Sequence, residues 1–202
     1  KATGRNGWRF YEPAMLKDAY EKMVVTNDLR RALEREEMFL QYQPLIDLRC
    51  GKVISYEALI RWNSREHGMM SPARFIPLAE QSGLIQPIGE WVIKQACSFA
   101  RTLSDMGRGS LRVSINVSPR QLAREDFVSL MRETITDAGI QPGQLQVEIT
   151  ESVLIDSLED SVQKLNALNE LGIGLSLDDF GTGYSSLTYL RRLPVKTLKI
   201  DK

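Results

Sequence analysis

From residue 85 onward the chain alternates helix-type and strand-type segments without exception, and this limits the folds open to it more than any other feature. The runs LRVSINV (111–117), LQVEI (145–149), IGLSL (173–177) and VKTLKI (195–200) are short and mostly apolar. Parallel strands covered by helices read this way. The segments between them, about 88–103, 119–138, 157–171 and 184–192, read as helices, and Gly172 stops the third. Strict alternation of this kind implies a parallel sheet, either doubly wound or closed into a barrel.

The first part of the chain reads differently. Residues 1–15 suggest a short strand followed by a proline break, and 16–37 suggest one or two charged helices. Strands are expected at 38–46 and 53–60, joined by the turn DLRCGK. Six residues are too few for a parallel crossover, so this pair is expected to be antiparallel. A polar loop, NSREHGMMS, then leads to a helix over 72–81 that opens on Pro72 and closes at Gly83. Six strands are expected from residue 38 onward.

Lys and Arg together number 26, as do Asp and Glu, so the formal net charge is zero. That balance argues against a chain that coats nucleic acid or anionic membrane by bulk electrostatics. No apolar run approaches a membrane span, and no signal peptide is visible. Cys50 and Cys97 have no metal-ligand spacing and read as ordinary reduced thiols of a cytoplasmic domain.

The chemistry is suggested by position. Asn116, Glu148, the pair Asp178–Asp179, and Lys199 each lie near the C-terminal end of an apolar strand, and Glu57 joins them from YEALIRW (56–62). Burying one carboxylate costs several kcal/mol unless it is paired or bound to metal. Several at one depth on successive strands point to a site, because barrel enzymes draw catalytic residues from those strand ends. Carboxylates with one amide form an all-oxygen donor set suited to Mg²⁺ or Mn²⁺. Adjacent acids suggest two metals activating water for an in-line displacement. The single histidine, His67, falls in the polar loop and reads as solvated, so no histidine acid–base pair or Ser/His/Asp triad is available. The stretch DDFGTGYSS (178–186) lacks the Gly-Lys-Ser/Thr ending of a P-loop.

These residues also carry a resemblance. YEALIRW (56–62), QYQPLIDL (41–48), SPARFIPLAEQSGLI (71–85), INVSPRQL (115–122), VEITES (147–152) and DDFGTGYSSLTYLRRLPVKTLKID (178–201) resemble, in order and spacing, the EAL domain of bacterial cyclic-di-GMP phosphodiesterases. The resemblance implies a modified TIM-type (β/α) barrel with an antiparallel first strand. The family reaction opens cyclic-di-GMP to linear pGpG with Mg²⁺ or Mn²⁺ and is inhibited by Ca²⁺. By the same resemblance Glu57, Asn116, Glu148 and Asp178 would ligate one metal, and Asp179 would serve a second. Lys199 would orient or activate the attacking water, and Glu151 would anchor the 178–186 loop. Gln43, Leu59 and Arg61 would contact the dinucleotide. A homodimer through the 178–186 loop and neighbouring helices is also implied.

The stretch KATGRNGWRFYEPAM (1–15) is similar to the end of a GGDEF domain, which implies a GGDEF–EAL tandem. The expected division is a GGDEF-like remnant over 1–15, a connecting helix over 16–37, and an EAL domain over 38–202. On this reading the barrel stops after its sixth strand, incomplete at the C-terminus, with any membrane anchor lying in segments outside this sequence. Two competing readings are a non-catalytic cyclic-di-GMP-binding regulatory module and an enolase-type barrel with a lysine base. Retention of Glu57, Asn116 and the Asp pair favours the phosphodiesterase over the former, and Arg61 with the dinucleotide signature disfavours the latter.

Overall fold

A computed structural model describes residues 13–150, 158–181 and 192–200. Its centre is one mixed sheet. In chain order the strands are β1 (Met38–Asp47), β2 (Lys52–Ser64), β3 (Gly68–Met70), β4 (Arg112–Asn116), β5 (Leu145–Thr150), β6 (Gly174–Phe180) and β7 (Thr197–Ile200). Spatially they run β1-β2-β4-β5-β6-β7, with β3 paired to β2 off this path. β1 and β2 are antiparallel, as the short turn between them requires, and from β2 through β4 to β7 every neighbour is parallel. The order advances around the sheet without reversing. This is the winding of a barrel wall, here a half-barrel, and it resolves the choice against a doubly wound sheet.

The described helices are α1 (Pro13–Leu29), α2 (Pro72–Ser82), α3 (Ile85–Asp105), α4 (Pro119–Leu122), α5 (Phe127–Ala138) and α6 (Leu158–Glu170). Proline at the first turn of α2 removes an N–H that would have no partner there, and Gly83, at φ 79°, closes the helix in the left-handed region. α3 is the longest and buries Ile88, Val92, Ile93, Ala96, Cys97 and Ala100 along one side. Phe99 of the same helix stacks on Tyr42 at 3.7 Å and meets Tyr56 edge-on, fastening α3 to β1 and β2. Burial pushes the Tyr42 hydroxyl and the Cys97 thiol each up to about 12.

Strand alternation separates two chemistries. The face toward the helices carries Ala58, Trp62, Val113, Ile115, Leu145, Val147, Ile149, Leu175 and Leu177, all buried. Pairing register places Glu57 beside Ser114, Ser114 beside Gln146, Asn116 beside Glu148, and Glu148 beside Ser176 on the opposite face. That face is polar yet largely buried. The strands are therefore apolar chiefly on the face toward the helices, and the polar residues within the mostly apolar runs line the barrel interior.

Several element boundaries differ from expectation. β2 extends to Ser64 and pairs with β3, which lies inside the stretch expected to be loop. Pro13 begins a helix, and 30–36 form turns rather than continuing it. The expected helix over 119–138 divides into α4 and α5. Arg124, between them, bonds the carboxylates of both Asp126 and Glu90, and these contacts hold a turn where helix-forming residues would otherwise continue. The helix expected at 184–192 lies outside the described residues except at Arg192, which is a turn, and the strand expected before residue 13 lies outside them altogether. His67 is not simply solvated, since its Nε2 lies 3.1 Å from Asp28 Oδ2 and ties the β2–β3 hairpin to α1.

Candidate functional site

Five strands contribute to one cluster on the polar face. Asn116 ends β4 and Glu148 pairs with it from β5. Asp178, in β6, pairs with Thr150, one step above Glu148 along the face. Glu57 is the sixth of 13 residues in β2, well short of its C-terminal end. β2 overshoots the others, so its middle lies level with their ends.

Lys199 is the hub. Its Nζ is 2.8 Å from Glu57 Oε2, 2.5 Å from Glu148 Oε2 and 3.2 Å from Asp178 Oδ2. Asn116 Nδ2 donates to the other oxygen of Glu57 at 2.9 Å. A local irregularity makes this possible. Leu177 pairs with Leu198 but Phe180 with Ile200, so Asp178 and Asp179 together oppose Lys199. Two residues facing one is a bulge, which re-aims side chains at barrel rims. Asp179 has φ 54° there, and its N–H donates to Asp178 Oδ1 at 3.0 Å.

The electrostatics follow from burial. The Glu148 side chain has no exposed surface, whereas Glu57, Asp178 and Lys199 are 15%, 20% and 21% exposed. Desolvation raises the Glu148 pKa above the ordinary glutamate value, against the opposing pull of Lys199. For Lys199, burial disfavours the charge, but the carboxylates of Glu148 and Glu57 outweigh it and hold the ammonium well above the usual lysine range.

One oxygen each from Glu57, Glu148 and Asp178 lie within 4.8 Å of one another. Three carboxylates around one ammonium leave two negative charges uncompensated. Glu148 Oε1 is also buried with no hydrogen-bond partner, an expensive condition unless something else occupies its lone pairs. An all-oxygen set with this charge and an orphaned acceptor fits a hard divalent cation.

The other expected positions are placed as follows. Gln43 pairs with Glu57 across β1–β2, so it stands on the same face beside the cluster. Arg61 Nε donates to Gln41 Oε1 at 2.8 Å, and Leu59 pairs with Gln41. Gln41 was not among the expected residues, although its two-residue offset from Gln43 puts it on that face. Asp179 is one residue further along the bulge and outside the group of three converging acids. Glu151 and most of the 178–186 loop lie outside the described residues. Beside the cluster is a cavity of about 340 Å³, lined by Leu59, Arg61, Ile76, Ile88, Asn116 and Gln121 among others.

Comparison with known proteins shows the family and the fold. The family described as "EAL domain" matches residues 26–202. The chain is 43% identical over 202 residues to the bifunctional diguanylate cyclase/cyclic di-GMP phosphodiesterase MucR of Pseudomonas aeruginosa, covering all of this chain and 30% of that protein. It is 39% identical to the cyclic di-GMP phosphodiesterase PdeR of Escherichia coli, again covering 100% of this chain and 30% of the relative. The chain thus spans under a third of the length of these two relatives. Among solved structures, the PaMucR phosphodiesterase in complex with c-di-GMP superposes with a TM-score of 0.84 at 43% identity, over 88% of this chain and 72% of that one. The FimX EAL domain from Pseudomonas aeruginosa bound to c-di-GMP does so with a TM-score of 0.78 at 25% identity, over 88% and 71%. The chain belongs to the EAL domain family.

Proposed function

We propose that this chain is a phosphodiesterase domain that hydrolyses cyclic-di-GMP to linear pGpG. The observation that carries the reading is the convergence of Glu57, Glu148 and Asp178 on Lys199, with Asn116 bonded to Glu57. The names of MucR and PdeR as cyclic-di-GMP phosphodiesterases support it.

In this reading Glu57, Asn116, Glu148 and Asp178 hold one Mg²⁺ or Mn²⁺, and Asp179 serves a second. When bound, these ions supply an activated water and stabilise the charge on the leaving oxygen. The residues of the chain set the geometry. Asn116 holds Glu57 by one oxygen and leaves the other facing the cluster. Lys199 orients the attacking water. The water oxygen bonds to phosphorus, one P–O3′ bond breaks, and the leaving oxygen takes up a proton. Gln43, Leu59 and Arg61 position the dinucleotide, with Gln41 holding the Arg61 guanidinium in place. Glu151 anchors the 178–186 loop, through which two copies pair as a homodimer.

The domain division into 1–15, 16–37 and 38–202 belongs to the same reading, with one refinement. α1 buries Val25 and Leu29 in the domain core, and the family match begins at residue 26, so the connecting helix packs as part of the EAL unit. No helix of the described residues is long and apolar enough to cross a membrane; a cytoplasmic location is part of the proposal.

Incubation with cyclic-di-GMP and Mn²⁺, with products resolved by chromatography, tests the reading. Linear pGpG is expected. Tight binding with no product would replace it with the competing one, a cyclic-di-GMP-binding regulatory module without turnover.

A further inference from the structure

α3 carries a glycine, Gly89, in its second turn. A Cβ there would lie 1.8 Å from Gln121 Nε2 and 2.8 Å from Gln121 Cδ. No helix interior gains from glycine in itself, since alanine is the better helix former. The vacancy has one visible use, which is to admit the Gln121 side chain.

Gln121 is 5% exposed and closes a reciprocal cap on α4. Its Oε1 accepts from Ser118 N at 3.0 Å, and its own N–H donates to Ser118 Oγ at 3.3 Å. Ser118 is two residues past Asn116, and between them Val117 N donates to Glu148 O at 2.9 Å. The chain leaving Asn116 is therefore gripped from β5 on one side and from Gln121 on the other. Two more contacts seat the same segment on the start of α3. Gln86 Nε2 donates to Arg120 O at 2.7 Å, and Glu90 pairs with Arg124.

We propose that Gln121 is a positioning residue for the Asn116–Glu57 corner of the site, and that Gly89 is the socket its side chain requires. A methyl group at residue 89 can be accommodated only if Gln121 moves, and moving it releases Ser118 N. The turn then loosens directly after Asn116, whose amide orients Glu57. Residues that orient metal ligands typically change metal affinity by about 10–100-fold when removed. The inference rests on the metal-dependent reading of the site.

The test is Mn²⁺ affinity, titrated by EPR at a temperature well below unfolding, for wild type, Gly89→Ala, Gln121→Ala and the double variant. Each single variant is expected to weaken Mn²⁺ binding by about tenfold. The double variant is expected to be no weaker than Gln121→Ala, because the methyl then has space. Single variants within twofold of wild type, or losses that multiply in the double, would overturn the proposal. If Gly89→Ala does not fold, Gln121→Ala decides the matter together with Gln121→Glu. The glutamate keeps an acceptor for Ser118 N and is expected to recover most of the affinity; equal loss in both would count against the proposal. Cyclic-di-GMP binding by calorimetry in EDTA separates the two levels. Wild-type protein that binds neither Mn²⁺ nor the dinucleotide would overturn the functional reading itself, whereas unaffected variants of a binding-competent protein would overturn only the positioning role.

Discussion

Lys199→Met keeps an unbranched side chain, one atom shorter, and removes the charge at the centre of the cluster. Without the ammonium, the carboxylates of Glu57, Glu148 and Asp178 face one another within 4.8 Å and have no cation between them. At that spacing and an effective dielectric of about 20, each pair repels by about 3 kcal/mol, so one acid with two charged neighbours is opposed by about 6–7 kcal/mol. Protonating a glutamate of ordinary pKa about 4.3 at pH 7 costs about 4 kcal/mol. The smaller figure wins, so the folded variant takes up a proton. Glu148 is the acid that accepts it, because burial already raises its pKa. Between the ordinary carboxylate value and the raised one, the folded variant binds one more proton than the unfolded chain. Stability therefore falls as pH rises through that window and recovers toward acid. Because the wild type, with its own raised Glu148, already carries part of this penalty, the expected deficit is at most about 4 kcal/mol at pH 7, and it shrinks toward acid to at most about 1 kcal/mol at pH 5. Urea denaturation of wild type and variant in EDTA at both pH values measures it. Added Mn²⁺ should remove the difference at pH 7 by replacing the missing positive charge. A deficit equal at both pH values, or none at pH 7 in EDTA, would refute the electrostatic account.

Three further outcomes are expected. Glu57→Ala removes both the acceptor of Asn116 and a carboxylate of the cluster, so pGpG formation by chromatography should fall by more than about a hundredfold, while dinucleotide binding persists. Glu37→Ala leaves the indole N–H of fully buried Trp62 without its 2.9 Å acceptor, and urea denaturation followed by tryptophan fluorescence should show a loss of about 1–3 kcal/mol. Gly83→Ala meets no atom within 4 Å but must adopt φ 79°, so thermal unfolding should report a loss of about 1 kcal/mol from backbone strain alone.

Much of this protein is legible in the chain read end to end. Short apolar runs separated by helix-length segments dictate a parallel sheet, and a six-residue turn forces β1 against β2 in the opposite sense, because both are consequences of local chain length and periodicity. The identity of the chemical groups is equally local, since Glu57, Asn116, Glu148 and Asp178 announce oxygen ligation wherever they meet. Their meeting is not local. Lys199 and Glu57 are 142 residues apart, and their 2.8 Å contact depends on the register of every strand between them. The bulge that sets Asp178 against Lys199, the guanidinium of Arg61 held by Gln41, the division of 119–138 at Arg124, and the socket at Gly89 all arise between elements. Periodicity within one segment carries no signal of them. Sequence determined the alternation, the sense of each strand pair and the chemical vocabulary of the site; packing decided that the sheet winds as a barrel wall, which face each strand turned inward and which acids came to share one cation, because those outcomes depend on strand order and register across the whole sheet.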